Sequence, residues 1–230
     1  MSGTRACRPK RIFFKMTTSK KDTIKKSMAD YSWSEIAEIL NSGNASEYFA
    51  VGDEKPDELY TGEKISVRLI SLEPHDLIVG GENKARAAFM FFMDGEYEMN
   101  EKPTNNGGWR ESKMRNVYMW RFFKLLPSDL QAVIRSVVKQ THMDGELRCS
   151  EDKLFLLSEA EIIGKTQFSS KGEGKRYEWF KKNKLPNKWF WLRSPSPAYA
   201  TTFASWNFNG YVPNSNSASY TYLVAPCFCI

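Results

Sequence analysis

Trp189-Phe190-Trp191-Leu192-Arg193-Ser194-Pro195 opens the last stretch of this chain, and Val224-Ala225-Pro226-Cys227-Phe228-Cys229-Ile230 closes it. Between them lies a run built almost wholly of Ser, Thr, Ala, Asn, Tyr, Phe, Gly and Pro, and no charged residue, His, Gln or Met follows Arg193. A chain that is 26% charged does not lose every charge over such a length by chance. Small polar residues with Gly and Pro normally signal a floppy tail. Here they are interleaved with Tyr199, Phe203, Trp206, Phe208, Tyr211, Tyr220 and Tyr222, and the run ends in an apolar strand. Rigid aromatics among adaptable small polar residues are the chemistry of an antibody-like contact surface. The competing reading is an ordinary Ser/Asn-rich loop with its aromatic rings tucked inward.

The rest of the chain supplies a scaffold. Its 230 residues suffice for one sizeable core, and 41% of them are hydrophobic. The net charge of +6 would suit nucleic acid. Residues 1–26, however, carry nine Lys and Arg against Asp22 alone, a net +8, which leaves the remainder at −2. The basic character therefore belongs to a tail, residues 1–30, which reads as disordered. No nucleic acid is expected on the folded domain. Ile12-Phe13-Phe14 is too short for the apolar core of a secretory signal, and no apolar stretch reaches membrane-spanning length. Synthesis in the cytoplasm without a signal peptide is expected. Cys7, Cys149, Cys227 and Cys229 lack metal-site spacing and read as reduced, buried core thiols.

Several elements carry local signals. Ser32 reads as the N-cap of a helix with Trp33, Ile36, Ala37 and Leu40 on one face, ended by Gly43. Tyr48 to Asp53 reads as a strand, Glu54 to Asp57 as a charged turn, and Lys64 to Leu72 and Ala87 to Met93 as strands. Residues 105–109 read as a loop. Glu111 to Leu125 reads as a helix. Ser128 reads as the N-cap of another, with Leu130, Val133, Ile134, Val137 and Val138 as its core face. Leu154 to Leu157 reads as a buried strand, and Ser158 with Glu161 as a capping box before a turn ended by Gly164. Residues 165–188 read as an exposed insertion with one short helix. Four short strands follow, near Phe190–Leu192, Thr201–Trp206, Ser219–Tyr222 and Val224–Cys229. The sum is one α+β domain over residues 31–230.

Catalytic motifs are missing from the sequence: no nucleophile elbow, P-loop, dinucleotide fingerprint, zinc-protease motif or EF-hand loop. The carboxylates Asp53-Glu54 and Asp57-Glu58 read as a solvated loop, and His75 beside Asp76 and His142 read as structural. No cofactor and no metal are expected, and no enzyme.

In their order, certain residues resemble a known family. They are Trp33, Ile36, Gly43, Tyr48-Phe49 and Gly52-Asp53, then Met99-Asn100, Gly107-Gly108-Trp109, Ser112, Met114-Arg115, Leu126-Pro127 and Lys139. Leu154-Phe155-Leu156-Leu157-Ser158, Glu161 and the two closing brackets complete the set. The order resembles that of the bacterial and prophage proteins with a C-type-lectin-like domain (the formylglycine-generating-enzyme-like fold), many of which are the variable proteins of diversity-generating retroelements. The resemblance spans Ser32 to Ile230. It implies a hypervariable surface over residues 194–223, diversified when a reverse transcriptase acts on the gene by mutating template adenines. Asn codons so mutated give Tyr, Ser, Thr, Phe and Ala, among others, but never Lys, Glu, Gln, Met or Trp, and the run matches that output. Trp206 is therefore expected to be invariant, and Leu223 departs from the family's usual Gly.

The implied ligand-contacting set is Ala198, Tyr199, Thr201, Thr202, Ser205, Asn207, Phe208, Tyr211, Asn214, Ser215, Ser219, Tyr220 and Tyr222. Trp191, Leu192, Phe203, Trp206, Val224, Ala225 and Phe228 fall to the scaffold, and Arg193 is expected to pair with a carboxylate or backbone carbonyls. The implied partner is a protein or glycan on a target cell or phage host, with the protein placed on a virion, as in a phage tail, or on a cell surface. Two alternatives are a relative of the formylglycine-generating oxidases, using Cys227 or Cys229, and a structural virion component.

Overall fold

Ser32 starts the first helix in the way its sequence requires. Its hydroxyl accepts from the Glu35 N–H at 3.3 Å, and the Glu35 carboxylate accepts from the Ser32 N–H at 2.7 Å. Helix α1 (Trp33–Ser42) buries Trp33, Ile36 and Leu40 and ends at Gly43, whose φ of +83° only glycine takes at little cost. This is the computed structural model of the chain, and it describes residues 26–73, 84–183, 188–207 and 213–230. The basic segment up to residue 25, His75 with Asp76, and Phe208 and Tyr211 lie outside the described residues. The tail is shorter than the sequence suggests, because Met28–Asp30 form a 3-10 turn with Met28 buried.

After α1 come α2 (Ala45–Tyr48) and β1 (Glu54–Glu58), then β2 (Lys64–Ser71), β3 (Ala88–Met90) and β4 (Met93–Glu98). Helix α3 (Gly108–Glu111) leads into a π-helical turn at Met114–Met119, α4 (Trp120–Leu125) and α5 (Ser128–Val133). A hairpin, β5 (Val137–Met143) and β6 (Glu146–Asp152), precedes α6 (Glu159–Ile163) and α7 (Glu178–Lys182). The chain closes with β7 (Phe190–Pro195), β8 (Thr202–Trp206), β9 (Pro213–Ser217), β10 (Thr221–Val224) and β11 (Cys227–Cys229). The α+β class is as expected.

Two sheets and the hairpin share one hydrophobic cluster. The first sheet has the order β1-β2-β3-β11, and the second β4-β10-β7-β8-β9. The chain end is sewn to the first sheet, since β11 pairs with β3 and the Ile230 carbonyl accepts from the Ala87 N–H at 3.1 Å. Phe228 stacks on Phe89 at 5.2 Å, and Trp33 meets both edge-on. The aromatic quadrupole favours such offset and edge arrangements. The second closing bracket is thus core, as expected. Cys227 and Cys229 are buried within it, but Cys149 is exposed on β6.

Other expectations need correction. Glu54–Glu58 is an edge strand, not a turn; Glu54 reaches Ser66 and Arg68 on β2, and charge on an edge strand blunts foreign pairing. Tyr48 ends a helical turn rather than starting a strand. Ser128 is the first helical residue and Pro127 the cap, and α5 stops at Val133. Val137 and Val138 belong to β5, whose turn into β6 uses Asp144 at φ +54° and Gly145 at φ +83°. Positive φ at both turn positions matches the twist of paired strands. Leu154 to Leu157 are buried, yet only Phe155 bridges a strand residue, Cys227. The segment after Gly164 is no exposed insertion throughout, since Glu173, Tyr177, Trp179 and Phe180 are buried.

Candidate functional site

Strand β7 is buried at every residue, and it carries the charge that organises the site. Arg193 is 1% exposed. One guanidinium nitrogen donates to the Leu156 carbonyl at 2.9 Å, and another to the Glu173 carbonyl at 2.7 Å. Both also bind the Glu161 carboxylate, a two-pronged pairing that suits the planar fork of arginine. The Lys139 ammonium reaches Glu161 at 3.0 Å and the Tyr177 hydroxyl at 2.8 Å, and lies 3.9 Å from the Phe155 ring centroid. Burial pushes the Glu161 carboxyl up, but the Arg193 and Lys139 charges and the hydrogen bonds to Arg193 and Ser158 outweigh it and hold the group down at about 2. Arg193 therefore pairs with a carboxylate and with carbonyls, as expected.

Glu173 is the second buried carboxylate. It accepts from the His142 N–H at 2.9 Å and from the Ser194 hydroxyl. Burial pushes its carboxyl up to about 7, against the pull of Arg193 and these hydrogen bonds and with the push of Glu161. Glu159, fully buried, accepts from the N–H groups of Gln167 and Phe168 and from the Ser169 hydroxyl. Glu159 and Glu173 thus pin the 165–177 excursion beneath the first bracket, and Glu161 reaches it through Lys139, which also bonds the Tyr177 hydroxyl. A cleft of about 430 Å³ opens beside Lys139, Glu161, Glu173, Tyr177 and Arg193.

Above this foundation the chain turns outward at Pro197. The turn at residues 196–202 hangs on Asn105, which is 2% exposed. Its side-chain nitrogen lies 2.9 to 3.0 Å from the carbonyls of Ser196, Tyr199 and Thr202, and its N–H donates to the Ala200 carbonyl at 2.8 Å. In sequence Asn105 is one polar residue of a loop beside the Gly107-Gly108 turn, and only the fold shows it as the anchor.

Of the thirteen residues in the expected contact set, Ala198, Tyr199, Thr201 and Tyr220 are exposed, Tyr199 at 63% and Tyr220 at 56%. Thr202, Asn207, Ser215 and Ser219 are half-buried. Asn214 pairs with Ser205 across β9 and β8. One assignment is overturned. Ser205 is fully buried and accepts from the Asn216 amide at 2.7 Å. Strand β8 lies between two neighbours with both faces covered, so its polar residue is a core hydroxyl. Tyr222 is half-buried, its ring 5.2 Å from that of Trp189 and 4.8 Å from that of Trp191, so it braces the first bracket. Phe203 and Trp206 lie in the core, as expected.

Both brackets, the buried charges and the exposed turn fall within a single match. A family model described as Domain of unknown function (DUF6273) covers residues 76–230, about two thirds of the chain. The chain belongs to that family. The DUF6273 region takes in every strand from β3 onward, whereas α1 and β2 precede it. No curated protein and no solved structure matches the chain. Among the described residues, no three His, Cys, Asp or Glu side chains gather as a metal site, and no helix is long and apolar enough to cross a membrane.

Proposed function

We propose that this chain is a non-enzymatic ligand-binding protein that presents residues 194–223 on a C-type-lectin-like scaffold, and that a retroelement diversifies those residues. One observation carries the reading. Exposed Tyr199 and Tyr220, with Ala198 and Thr201, stand on the turns that precede β8 and follow β9, beside the buried residues Phe203, Ala204, Trp206 and Ala218. Outward side chains of that kind are exchangeable without cost to packing. Tyr gives contact area at low entropic cost, while Ser, Thr and Asn give adaptable hydrogen bonds. The ligand would be a protein or glycan on a target cell or phage host, met from a virion or a cell surface.

An oxidase of the formylglycine-generating type draws no support from the thiols. Burial pushes Cys229 up to about 12 and Cys227 well above its usual value, whereas nucleophilic cysteines are accessible and lowered.

The test is to sequence this gene and its flanking DNA from many isolates. Adenine-directed codon changes should concentrate at positions 198, 199, 201, 219 and 220, with Phe203, Ser205 and Trp206 constant. A segment no more variable than β2 and β3 would refute the reading.

A further inference from the structure

A second surface lies away from the displayed turn, where the helical region meets the end of the hairpin. Met119, Trp120 and Phe123 from one side, and Asp152, Lys153 and Leu154 from the other, line a groove of about 500 Å³. Its floor is apolar and recessed: Met119, Phe123 and Leu154 are 3%, 8% and 3% exposed. Its rim holds Trp120, which is 58% exposed. The π-helical run Met114–Met119 ends immediately before it. A π-turn inserts a residue into the helical register and recurs at functional sites. Here Met119 points inward and the larger indole is left outside.

The charges around the groove are unbalanced. Arg115 is held by Asp152 at 2.6 Å and is neutralised. The Lys124 ammonium sits 4.4 Å from the Trp120 ring centroid, and that of Lys153 4.8 Å from the Phe123 centroid. Among the described residues, no carboxylate lies within ion-pair distance of either lysine. Exposed Glu151 is the opposing charge on the rim.

We propose that this groove docks an acidic peptide segment of a partner protein. One aromatic or branched aliphatic side chain of the segment seats on Met119, Phe123 and Leu154. Its carboxylates meet Lys124 and Lys153, and Trp120 packs along its backbone. Exposed Trp beside cations, around an apolar pocket, is the composition of binding hot spots. A bilayer is a poor fit, because the apolar floor is recessed and Glu151 would face anionic headgroups. Nucleic acid is a poor fit because two cations opposed by a carboxylate neutralise few phosphates.

The experiment is a selection of random displayed peptides on the full chain, with counter-selection on the Trp120→Ala/Lys153→Glu double variant. Both replaced side chains are exposed, and an unchanged melting temperature checks that the variant folds. Lys124→Glu alone repeats the measurement should the double variant fail. Surviving peptides should carry Asp or Glu around a single large apolar residue. They should bind the variants about tenfold or more weakly, and lose about tenfold in affinity from about 50 to about 500 mM salt. No survivors, survivors without acidic residues, or tighter binding to anionic phospholipid vesicles than to any survivor would each overturn the proposal.

Discussion

Replacing Glu161 by Gln removes the one carboxylate shared by Arg193 and Lys139. The side chains of those cations are 1% and 6% exposed, so neither can turn to water when its partner is lost. Lowering the Glu161 carboxyl from 4.5 to about 2 corresponds to about 3 kcal/mol in favour of the ionised, paired form. Breaking a buried pair from one side costs about 3–5 kcal/mol, because the remaining charge stays desolvated. Glu161→Gln should therefore lose about 3–5 kcal/mol at neutral pH, out of a total on the order of 5–15 kcal/mol. Urea unfolding followed by tryptophan fluorescence reads this as a midpoint lower by roughly 1–2 M. The pH dependence gives an independent check. The folded-state value lies below the unfolded one, so this contribution is fully present above 4.5 and fades as the pH falls toward 2. The gap between wild type and variant should narrow over that window. A loss below about 1 kcal/mol at pH 7, or a gap that does not narrow, would refute the view that Glu161 is a paired carboxylate at the centre of the scaffold.

Glu173 carries the opposite sign. Its folded-state value, about 7, lies above 4.5, so its contribution is present at low pH and is lost as the pH rises from 4.5 through 7. Relative to Glu173→Gln, the wild type should be about 3 kcal/mol less stable at pH 8 than at pH 4.5, measured by denaturant titration at both. Asn105→Ala takes a buried donor from three carbonyls and should cost about 2–3 kcal/mol. Hydrogen exchange should show the Ser196 and Thr202 amides, which donate within the turn to Thr202 and Tyr199, exchanging roughly tenfold faster or more.

Where local chemistry and tertiary packing agree, the sequence could be read. Ser32 and Gly43 mark both ends of α1, and the apolar brackets locate β7 and β11. The errors cluster where they disagree. Leu130, Val133, Ile134, Val137 and Val138 fit helical spacing, but the last two belong to β5. The alternation Val137, Lys139, Thr141 that would have announced a strand is masked by a buried lysine. Asp144-Gly145 was the available correction, as a hairpin dipeptide followed by the alternating face of β6. Glu159 and Glu173 look like surface charges in sequence, and only the fold shows that Glu159 holds the amides of Gln167 and Phe168 and that Glu173 meets Ser194 of β7. Ser205 lies inside rather than outside for a related reason. Alternation tells which residues share a face, but not whether the second face of that strand is also covered.

An apolar residue in place of Arg193 would pack β7 without desolvating a charge, and such replacements are often as stable. What an apolar residue lacks is direction. Arg193 reaches the carbonyls of Leu156 and Glu173 and both oxygens of Glu161. Those groups come from a loop, an excursion and a helix, so a one-residue slip of β7 would leave every one of them unpaired. Hydrophobic contacts tolerate a slip far better, because neighbouring apolar residues substitute for one another. The exposed turn that begins at Pro197 contributes little packing of its own, so its position has to be set from its base. Arg193 and Asn105 do this together, one holding the strand that enters the turn and the other three of the turn's carbonyls. On this view the buried charge serves register rather than stability. Arg193→Met with Glu161→Leu and Lys139→Met should then retain stability near that of the wild type, yet broaden the exchange of the 196–202 amides.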